Sequence, residues 1–328
     1  MSTMRAVTAD RFGPPAGLVV RGVPVPRPTD GHVRVGVHAV ALNPADWHGV
    51  VGYPYIARPA LGWRRPKRTI PGTDIAGTVD EITVGVDGET RFAVGDEVFG
   101  FADGGGCAEF VVVPEANLVT KPPTVPFDVA AATGMAAFAA LQAVRDVARL
   151  EVGQHVLVNG ATGGVGHFAI QFAKAIGCEV TAVCSTGNVI AATAMGADHV
   201  IDYSATDFTT GPTRYDAILD NPGNHPLRTC RRVLQPTGAY VLIGGSKSPL
   251  LGPIPRLIAA KLFGVVSSQR FDLVFGEETA DDLAVLRSML DDGSIDPVVS
   301  RTMTLDEVPA ALAEIGRGHT LGKLVANP

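Results

Sequence analysis

The stretch VLVNGATGGVGHFAIQFAKAIG (Val156–Gly177) decides the fold, because an apolar run leads into four glycines within seven residues and then into a run with a period near four. This order predicts a strand, a tight turn and a helix. Glycine lacks the Cβ atom that would keep a backbone away from a pyrophosphate, and the following helix presents free N–H groups to negative charge. The turn therefore suits a dinucleotide.

A glycine-rich turn alone is a weak sign, since such turns also serve only to pack a helix closely on a strand. Gly160, Gly163 and Gly166 are spaced three apart, and Ala161 stands where the GxGxxG fingerprint has its first glycine. Strands and helices alternate around the turn, which predicts a parallel sheet with right-handed crossovers. Strands are expected at residues 154–159, 179–184, 199–201, 215–220 and 239–243, with helices ending near 176, 195 and 234.

The first third of the chain differs, because it is rich in glycine, proline and short apolar runs such as HVRVGVHAVAL, DEVFGF and CAEFVVVP. Short strands at close intervals indicate an antiparallel barrel or sandwich. After the parallel sheet come a loop and a helix past Gly244, a last strand in QRFDLVFG, helices at 279–290 and 306–315, and a strand at 323–325 that returns to the first domain. The expected division is residues 1–123, 124–276 and 277–328, the last segment completing the first domain.

The bulk composition limits the function. With 328 residues, 46% hydrophobic and 18% charged residues, the chain is a folded globular protein of about two domains. The net charge of −6 argues against nucleic acid or an anionic membrane as a partner. The opening residues lack an apolar signal, so a cytoplasmic location is expected. Four scattered cysteines suggest neither disulfides nor a thiolate metal site.

The end of the second strand of the parallel sheet bears on the choice of dinucleotide. NAD-type sites carry an acid there for the ribose hydroxyls, whereas this chain has Ser185 and Thr186. Neither side chain would repel a 2′-phosphate, so NADPH is favoured over NADH, although no Lys or Arg stands beside them. The same residues could instead cap the helix that begins near Asn188.

Motifs along nearly the whole chain resemble the medium-chain dehydrogenase/reductase superfamily, and within it the zinc-independent quinone oxidoreductase-like branch. They include ALNPADW, PGTDIAGTVDEI, VGDEVFG, LVNGATGGVGHFAIQFAKAIG, GADHVIDY, YDAILDNPGN and GHTLGKLV. The resemblance implies an α/β fold with a Rossmann doubly wound parallel sheet and a GroES-like antiparallel β-barrel domain. It also implies NAD(P)H-dependent reduction of quinones or conjugated carbonyls.

The resemblance implies cofactor contacts as well. The glycine turn would hold the pyrophosphate, residues after the second and third strands would lie near the adenosine phosphate, and Asn221 and Gly244 would flank the nicotinamide. Close relatives carry Lys or Arg where this chain has Gly187. The expected cofactor-binding residues are Thr133, Gly160, Ala161, Thr162, Gly163, Gly164, Val165, Gly166, Ser185, Thr186, Tyr203, Asn221 and Gly244.

Zinc dehydrogenases of the superfamily carry Cys at the position of Asn43 and His-Glu at Thr73 and Asp74, so no zinc is expected here. A conjugated acceptor suits a site without metal, because the charge that develops on its oxygen needs only modest hydrogen bonds. The Asn43 amide and the Thr73 hydroxyl are the candidate donors. Asp46 could orient them or relay a proton, or it could cap the following helix.

Tyr53 and Trp63 lie in a segment that borders the substrate cleft in the family, where they could form an aromatic lid over a planar substrate. The alternative is a surface loop whose basic string RRPKR is solvated. A homodimer through the edge strand RFDLVFG is expected. Rival functions are an enoyl reductase or dehydrogenase of secondary metabolism, and a nucleotide-binding protein with little catalytic activity.

Overall fold

The computed structural model describes residues 2–83, 90–244, 255–256, 258–260, 267–274 and 276–328. The chain forms two compact units, one of Met1–Met135 with Glu278–Pro328 and one of Ala136–Glu277. The first boundary falls after Met135 rather than after residue 123, because the helix Phe127–Ala132 packs on strands of the first unit. The second boundary falls one residue later than expected.

The strands, in chain order, are β1 Thr3–Thr8, β2 Val19–Pro24, β3 His32–Ala41, β4 Asp74–Ile82, β5 Glu97–Phe101, β6 Phe110–Pro114, β7 Leu118–Thr120, β8 His155–Asn159, β9 Glu179–Cys184, β10 His199–Asp202, β11 Tyr215–Asp220, β12 Leu234–Leu242, β13 Arg270–Leu273, β14 Val299–Thr304 and β15 Lys323–Asn327. The helices are α1 Pro44–Val51, α2 Arg58–Leu61, α3 Phe127–Ala132, α4 Met135–Gln142, α5 Gly166–Ile176, α6 Val189–Ala194, α7 Leu227–Cys230, α8 Ala280–Asp291 and α9 Val308–Arg317. A π-helical turn, Ala143–Ala148, continues α4.

The first unit is built on a mainly antiparallel sheet in the order β14-β15-β3-β4-β5-β7, with β6 paired to β3. Strand β3 shows why it forms, since Val33, Val35 and Val37 are buried in alternation with more exposed residues. Strand β15 pairs with β3 through Val325 opposite Ala41, so the returning strand is confirmed. These features agree with the GroES-like barrel that the sequence predicts.

The second unit holds a six-stranded parallel sheet in the order β10-β9-β8-β11-β12-β13. Its central strands are apolar on both faces, with residues 156–158 of β8 fully buried, because helices cover both sides of such a sheet. The chain winds outward from β8 to β10 and then returns to β11 on the other side of β8. Ligands of such sheets bind at this switch point, beyond the carboxyl ends of the strands.

Most elements of the second unit lie where the sequence places them, and β9 and β11 have the predicted bounds. The prediction that the helix reaches Leu234 is wrong, because α7 ends at Cys230, a 3₁₀ turn follows, and Leu234 is the first residue of β12. The loop and helix expected after Gly244 lie mostly outside the described residues. None of the helices in the described ranges has the length and apolar character needed to span a bilayer.

Candidate functional site

The glycine turn lies between β8 and α5, at the carboxyl end of the sheet. Gly160 has a positive φ of 72°, and its N–H and that of Ala161 both donate to the Val183 carbonyl at 3.1 Å. A Cβ at Gly166 would collide with the Gly160 carbonyl oxygen, so only glycine lets α5 begin this close to the turn. The first turn of α5 contains no acidic residue. The site is a bare backbone cradle that fits a pyrophosphate.

The ends of β9 and β10 meet beside this turn. Asn188 donates an amide hydrogen to Thr162 at 3.1 Å, which ties the loop after β9 to the glycine turn. Thr186 donates its hydroxyl to Asp202 at 2.6 Å, and this hydrogen bond lowers the pKa of the Asp202 carboxyl. Tyr203, predicted near the adenosine phosphate, is half exposed. The region predicted to bind the adenosine end of the dinucleotide therefore contains an acid, Asp202.

Sequence reasoning missed Asp202 because it searched for an acid only at the end of the second strand. The signal was present in VIDY, since β10 runs parallel to β9 with Asp202 opposite Cys184. Residues opposite each other on adjacent parallel strands present their side chains in the same region. The carboxylate thus comes from the neighbouring strand rather than from the expected position.

Asn221 and Gly244 follow β11 and β12, and the structure brings them together. Asn221 donates its backbone N–H at 3.2 Å and its side-chain amide at 2.9 Å to the Asn159 carbonyl. A Cβ at Gly244 would collide with the Asn221 carbonyl oxygen. The Asn221 Oδ1 atom is buried and accepts no hydrogen bond from any described residue. A buried acceptor without a donor is uncommon and fits an absent N–H group of a ligand.

The buried Asp220 fixes this loop, and sequence reasoning missed it. Its carboxylate accepts from Asn159 at 2.8 Å, from the Gly223 N–H at 2.9 Å and from the Tyr240 hydroxyl at 2.5 Å. Arg256 lies 3.2 Å from the same carboxylate and balances its charge. Burial and the Asp220 charge raise the pKa of Tyr240, which keeps its hydroxyl a donor. The network holds the neighbouring Asn221 in place.

The three predicted catalytic residues, Asn43, Asp46 and Thr73, lie together in the first unit and are all buried. Asn43 precedes α1. Its amide nitrogen donates to Asp74 at 2.8 Å and lies 3.4 Å from the Thr73 hydroxyl oxygen. The Thr73 hydroxyl proton has no acceptor among the described residues. The Asn43 amide is therefore used in hydrogen bonds within the protein, whereas the Thr73 hydroxyl can donate to a substrate.

A buried cation completes this group. The Lys323 ammonium lies 2.5 Å from Asn43 Oδ1 and 3.5 Å from Asp74 Oδ2, with side chains 3% and 0% exposed for Lys323 and Asp74. Asp74 also accepts the Met135 N–H at 3.1 Å. Sequence reasoning missed Lys323, although it quoted the GHTLGKLV motif that contains it. The pairing places a fixed positive charge beside the predicted catalytic residues.

Asp46 caps α1, as the structural alternative proposed. Its carboxylate accepts the Asn43 N–H and the Gly72 N–H, each at 2.8 Å. Burial nevertheless raises its pKa to about 6, because desolvation outweighs these two hydrogen bonds. Asp46 also borders a cavity of about 200 Å³ that Lys67 and Arg68 help to line. It can therefore act both as a cap and as a proton-holding group.

Glu278 is a second acid of this unit that sequence reasoning missed. Burial, and then the negative charge of Asp74, raise its pKa to about 7. Its Oε1 atom is buried and has no hydrogen-bond partner among the described residues. The negative charge of Asp46 also contributes to raising the pKa of Glu278. Glu278 can hold a proton near neutral pH.

The remaining predicted residues take other positions. Thr133, a predicted cofactor contact, is fully buried in the first unit and donates its hydroxyl to the Val129 carbonyl at 3.0 Å. Tyr53 is half-buried and its ring contacts Tyr55, whereas Trp63 is 72% exposed. Neither Tyr53 nor Trp63 lines the cavity beside Asp46. The aromatic lid stays a prediction.

The side chains around Asn43 do not fit a zinc ion, which prefers thiolate, imidazole and carboxylate ligands. The Asn43 oxygen faces the Lys323 ammonium, which would repel a metal cation. The neighbouring thiol, Cys107, has a pKa raised well above its ordinary value by burial and by the Asp46 charge, so the zinc-binding thiolate is disfavoured. In the described part of this unit, no three His, Cys, Asp or Glu side chains bring ligand atoms together.

Comparisons with known proteins agree with this architecture. A family described as alcohol dehydrogenase GroES-like domain matches residues 29–123, and one described as zinc-binding dehydrogenase matches residues 195–325. The chain is 31% identical to a chloroplast envelope quinone oxidoreductase homolog of Arabidopsis thaliana, over 96% of this chain and 95% of the relative. It is 33% identical to the spectinabilin polyketide synthase system protein NorB of Streptomyces orinoci, over 90% of this chain but 13% of that protein. The solved quinone oxidoreductase of Coxiella burnetii superposes with a TM-score of 0.86 at 29% identity, covering 100% of both chains.

Proposed function

Because the chain belongs to the quinone oxidoreductase-like branch of the medium-chain dehydrogenase/reductase family, we propose that it uses a reduced nicotinamide dinucleotide to reduce a quinone or an α,β-unsaturated carbonyl compound. The observation that carries the proposal is the bare turn between Gly160 and Gly166, with the unpartnered Asn221 Oδ1 on the neighbouring strand end. The turn suits a pyrophosphate, and the buried acceptor suits a carboxamide N–H of the nicotinamide.

The second unit supplies the binding groups for the dinucleotide. The N–H groups at the start of α5 would bind the pyrophosphate, and the absent Cβ atoms of Gly166 and Gly244 leave the backbone accessible. Asn221 would orient the nicotinamide carboxamide through its unpartnered Oδ1 atom, and the hydrogen bonds of Asp220 hold this loop in place. The bound nicotinamide supplies a hydride. The protein's task in this unit is thus to bind and orient.

The choice between NADH and NADPH depends on Asp202. The absence of an acid after β9 favours NADPH, but the Asp202 carboxylate bonded to Thr186 would repel a 2′-phosphate. Gly187 supplies no compensating cation. We propose that the chain accepts both dinucleotides and that Asp202 limits its preference for NADPH.

The first unit supplies the groups that meet the acceptor. We propose that the acceptor binds in the cavity beside Asp46, where Lys67 has no acidic partner among the described residues. Negative charge develops on the acceptor oxygen during reduction, and the Lys67 ammonium, which lines this cavity, can stabilise it. Asp46 borders this cavity and can hold the proton that the product needs, since its pKa is raised to about 6. Glu278, with a pKa raised to about 7, is a second acid of the same unit that can hold a proton.

We propose that this reaction needs no zinc. Oxidation of a simple alcohol would require a strong stabiliser for an alkoxide, and the groups around Asn43 do not fit a metal ion. A conjugated acceptor spreads its charge to an oxygen that hydrogen bonds can stabilise. Positioning by Asn43, Thr73 and Lys323 is then the main contribution of this unit, with no single indispensable acid.

A second candidate is an enoyl reductase of secondary metabolism, which the similarity to a polyketide synthase protein favours. Both candidates share the cofactor site and differ in the acceptor, a free quinone or enone against an enoyl thioester. We also propose a homodimer that pairs through the edge strand β13, and a cytoplasmic location, which four free cysteines suit. Sedimentation of the purified protein tests the dimer.

One experiment tests the function. The loss of nicotinamide absorbance is followed with NADH and with NADPH against o-quinones, p-quinones, enones, an enoyl thioester and simple aldehydes. Turnover of quinones or enones supports the proposal, and preference for the thioester supports the second candidate. Tight dinucleotide binding without any turnover would make the protein a nucleotide-binding protein instead. Absence of dinucleotide binding would refute all three.

A further inference from the structure

Three side chains with metal-binding chemistry gather at the amino ends of neighbouring strands in the second unit. His155, Glu179 and His199 are the first residues of β8, β9 and β10. In the parallel register His155 lies opposite Glu179, and His199 lies opposite Thr181 two residues further along β9. Paired residues point to the same face of a parallel sheet. The sheet therefore places all three side chains on one face.

The side chains converge closely enough to share an ion. One ligand atom from each of the three lies within 4.8 Å of the other two. The His199 Nε2 atom is 2.6 Å from the Glu179 carboxylate, and the rings of His155 and His199 have centroids 5.9 Å apart. The His155 Nε2 atom is also 2.8 Å from the Thr181 hydroxyl, which orients the ring. The three ligand atoms are therefore close together before any ion binds.

The exposure and the charges around His155, Glu179 and His199 suit a cation that is also bound by water. The side chains of His199 and Glu179 are 55% and 51% exposed, so a water molecule can complete the coordination. Two further carboxylates, Asp198 and Asp216, act electrostatically on His155. Lys174 balances Asp198 through a salt bridge at 2.7 Å. The local charge is thus negative or neutral rather than positive.

We propose that His155, Glu179 and His199 bind one divalent transition-metal ion of the zinc class. Two imidazoles and one carboxylate are ligands that zinc, nickel and cobalt accept, whereas calcium and magnesium prefer oxygen alone. The site lies at the opposite end of β8 from the glycine turn, because Gly160 follows His155 by five residues, roughly 16 Å at about 3.3 Å per residue. It joins three strands across the face of the sheet and takes no part in hydride transfer.

Calorimetric titration of the full chain, stripped of metal by a chelator, with Zn²⁺ at neutral pH tests the proposal. We expect one ion per chain. His155→Ala, His199→Ala and Glu179→Gln should each weaken binding about tenfold or more, because even partners outside the ligand shell are worth 10–100-fold. His32→Ala, which removes a histidine outside the group, is the matched control and should bind as the wild type does. Far-UV circular dichroism checks that each variant folds.

Two further readouts separate this site from any other. Co²⁺ should give the visible absorption of a four-coordinate ion in the wild type and not in the double variant His155→Ala/His199→Ala. Zn²⁺ should raise the Tm of the wild type and leave that of the double variant unchanged. Dinucleotide binding should be the same in both proteins. Stoichiometric zinc that persists in the double variant, or wild-type affinity no better than that of the double variant, would overturn the proposal.

Discussion

Replacing Lys323 by methionine should destabilise the first unit by about 3–5 kcal/mol. Methionine keeps most of the apolar stem but removes the ammonium, which lies 2.5 Å from Asn43 Oδ1 and 3.5 Å from Asp74 Oδ2. Asp74 would then stay fully buried with only the Asn43 amide and the Met135 N–H to stabilise its charge. Loss of one partner of a buried ion pair costs far more than loss of a neutral hydrogen bond, which is worth about 1 kcal/mol.

The double variant Asp74→Asn/Lys323→Met separates charge from packing. With both charges removed, no uncompensated ion is buried, so the double variant should be more stable than the sum of the single losses predicts by at least about 2 kcal/mol. Arg5→Met is the matched control, because Arg5 and Asp306 form an ion pair that is 54% and 64% exposed. An exposed pair of this kind contributes about 0–1 kcal/mol.

Urea unfolding followed by tryptophan fluorescence measures these differences. The chain has two tryptophans, and both Trp47 and Trp63 belong to the first unit, so the signal reports on that unit alone. Trp47 packs against the core of this unit and should respond to its unfolding. If Lys323→Met costs no more than Arg5→Met, or if the two single losses simply add, the buried-pair interpretation is wrong.

Four further predictions concern the pH dependence of stability, the role of Asp46 in turnover, cofactor choice and the glycine turn. Burial raises the pKa of Asp46 from 3.8 to about 6. Between pH 3.8 and about pH 6 the folded protein therefore holds a proton that the unfolded chain has released, so the free energy of unfolding should fall as pH rises through this range. The free-energy difference between wild type and Asp46→Asn should change by up to about 3 kcal/mol from pH 4 to 7 in urea unfolding. Unfolding free energies of the two proteins that differ by the same amount at every pH would contradict this prediction. Asp46→Ala should lower turnover without abolishing it, whereas complete loss with intact dinucleotide affinity would make Asp46 indispensable. Asp202→Asn should raise the ratio of kcat/KM with NADPH to kcat/KM with NADH several-fold. Gly187→Arg should raise this ratio further, since a Cβ at Gly187 meets open space. If Asp202→Asn leaves the ratio unchanged, Asp202 does not contact the cofactor. Gly166→Ala should abolish dinucleotide binding in fluorescence titration, because its Cβ would strike the Gly160 carbonyl, and normal affinity would refute the cradle.

The fold was largely predictable from the sequence because it depends on local patterns. Alternating apolar runs and glycine turns predicted β9 and β11 with their observed bounds. The end of α7 was mispredicted because the apolar Leu234 continues the helical pattern. In the structure Leu234 instead pairs with Tyr215 of β11 and belongs to β12. Tertiary pairing decided between two structures that the local sequence allows.

The site was predictable only in part, because its residues come from distant segments. The glycine turn and Asn43 belong to recognisable motifs. Lys323 meets Asn43 across 280 residues, and Asp202 reaches Thr186 from the neighbouring strand. No local periodicity records such contacts. Burial, which raises the pKa values of Asp46 and Glu278, likewise depends on the packed structure rather than on the residues beside them.

The ion pair between Asp74 and Lys323 also affects the order in which the two units can fold during translation. Lys323 is translated 249 residues after Asp74, which at about 5–20 residues per second is a delay of roughly 12–50 s. During that time the nascent amino-terminal segment has no ammonium to offset its buried carboxylate and no β15 to pair with β3. The later-made Rossmann unit can therefore mature on the ribosome before the barrel that precedes it.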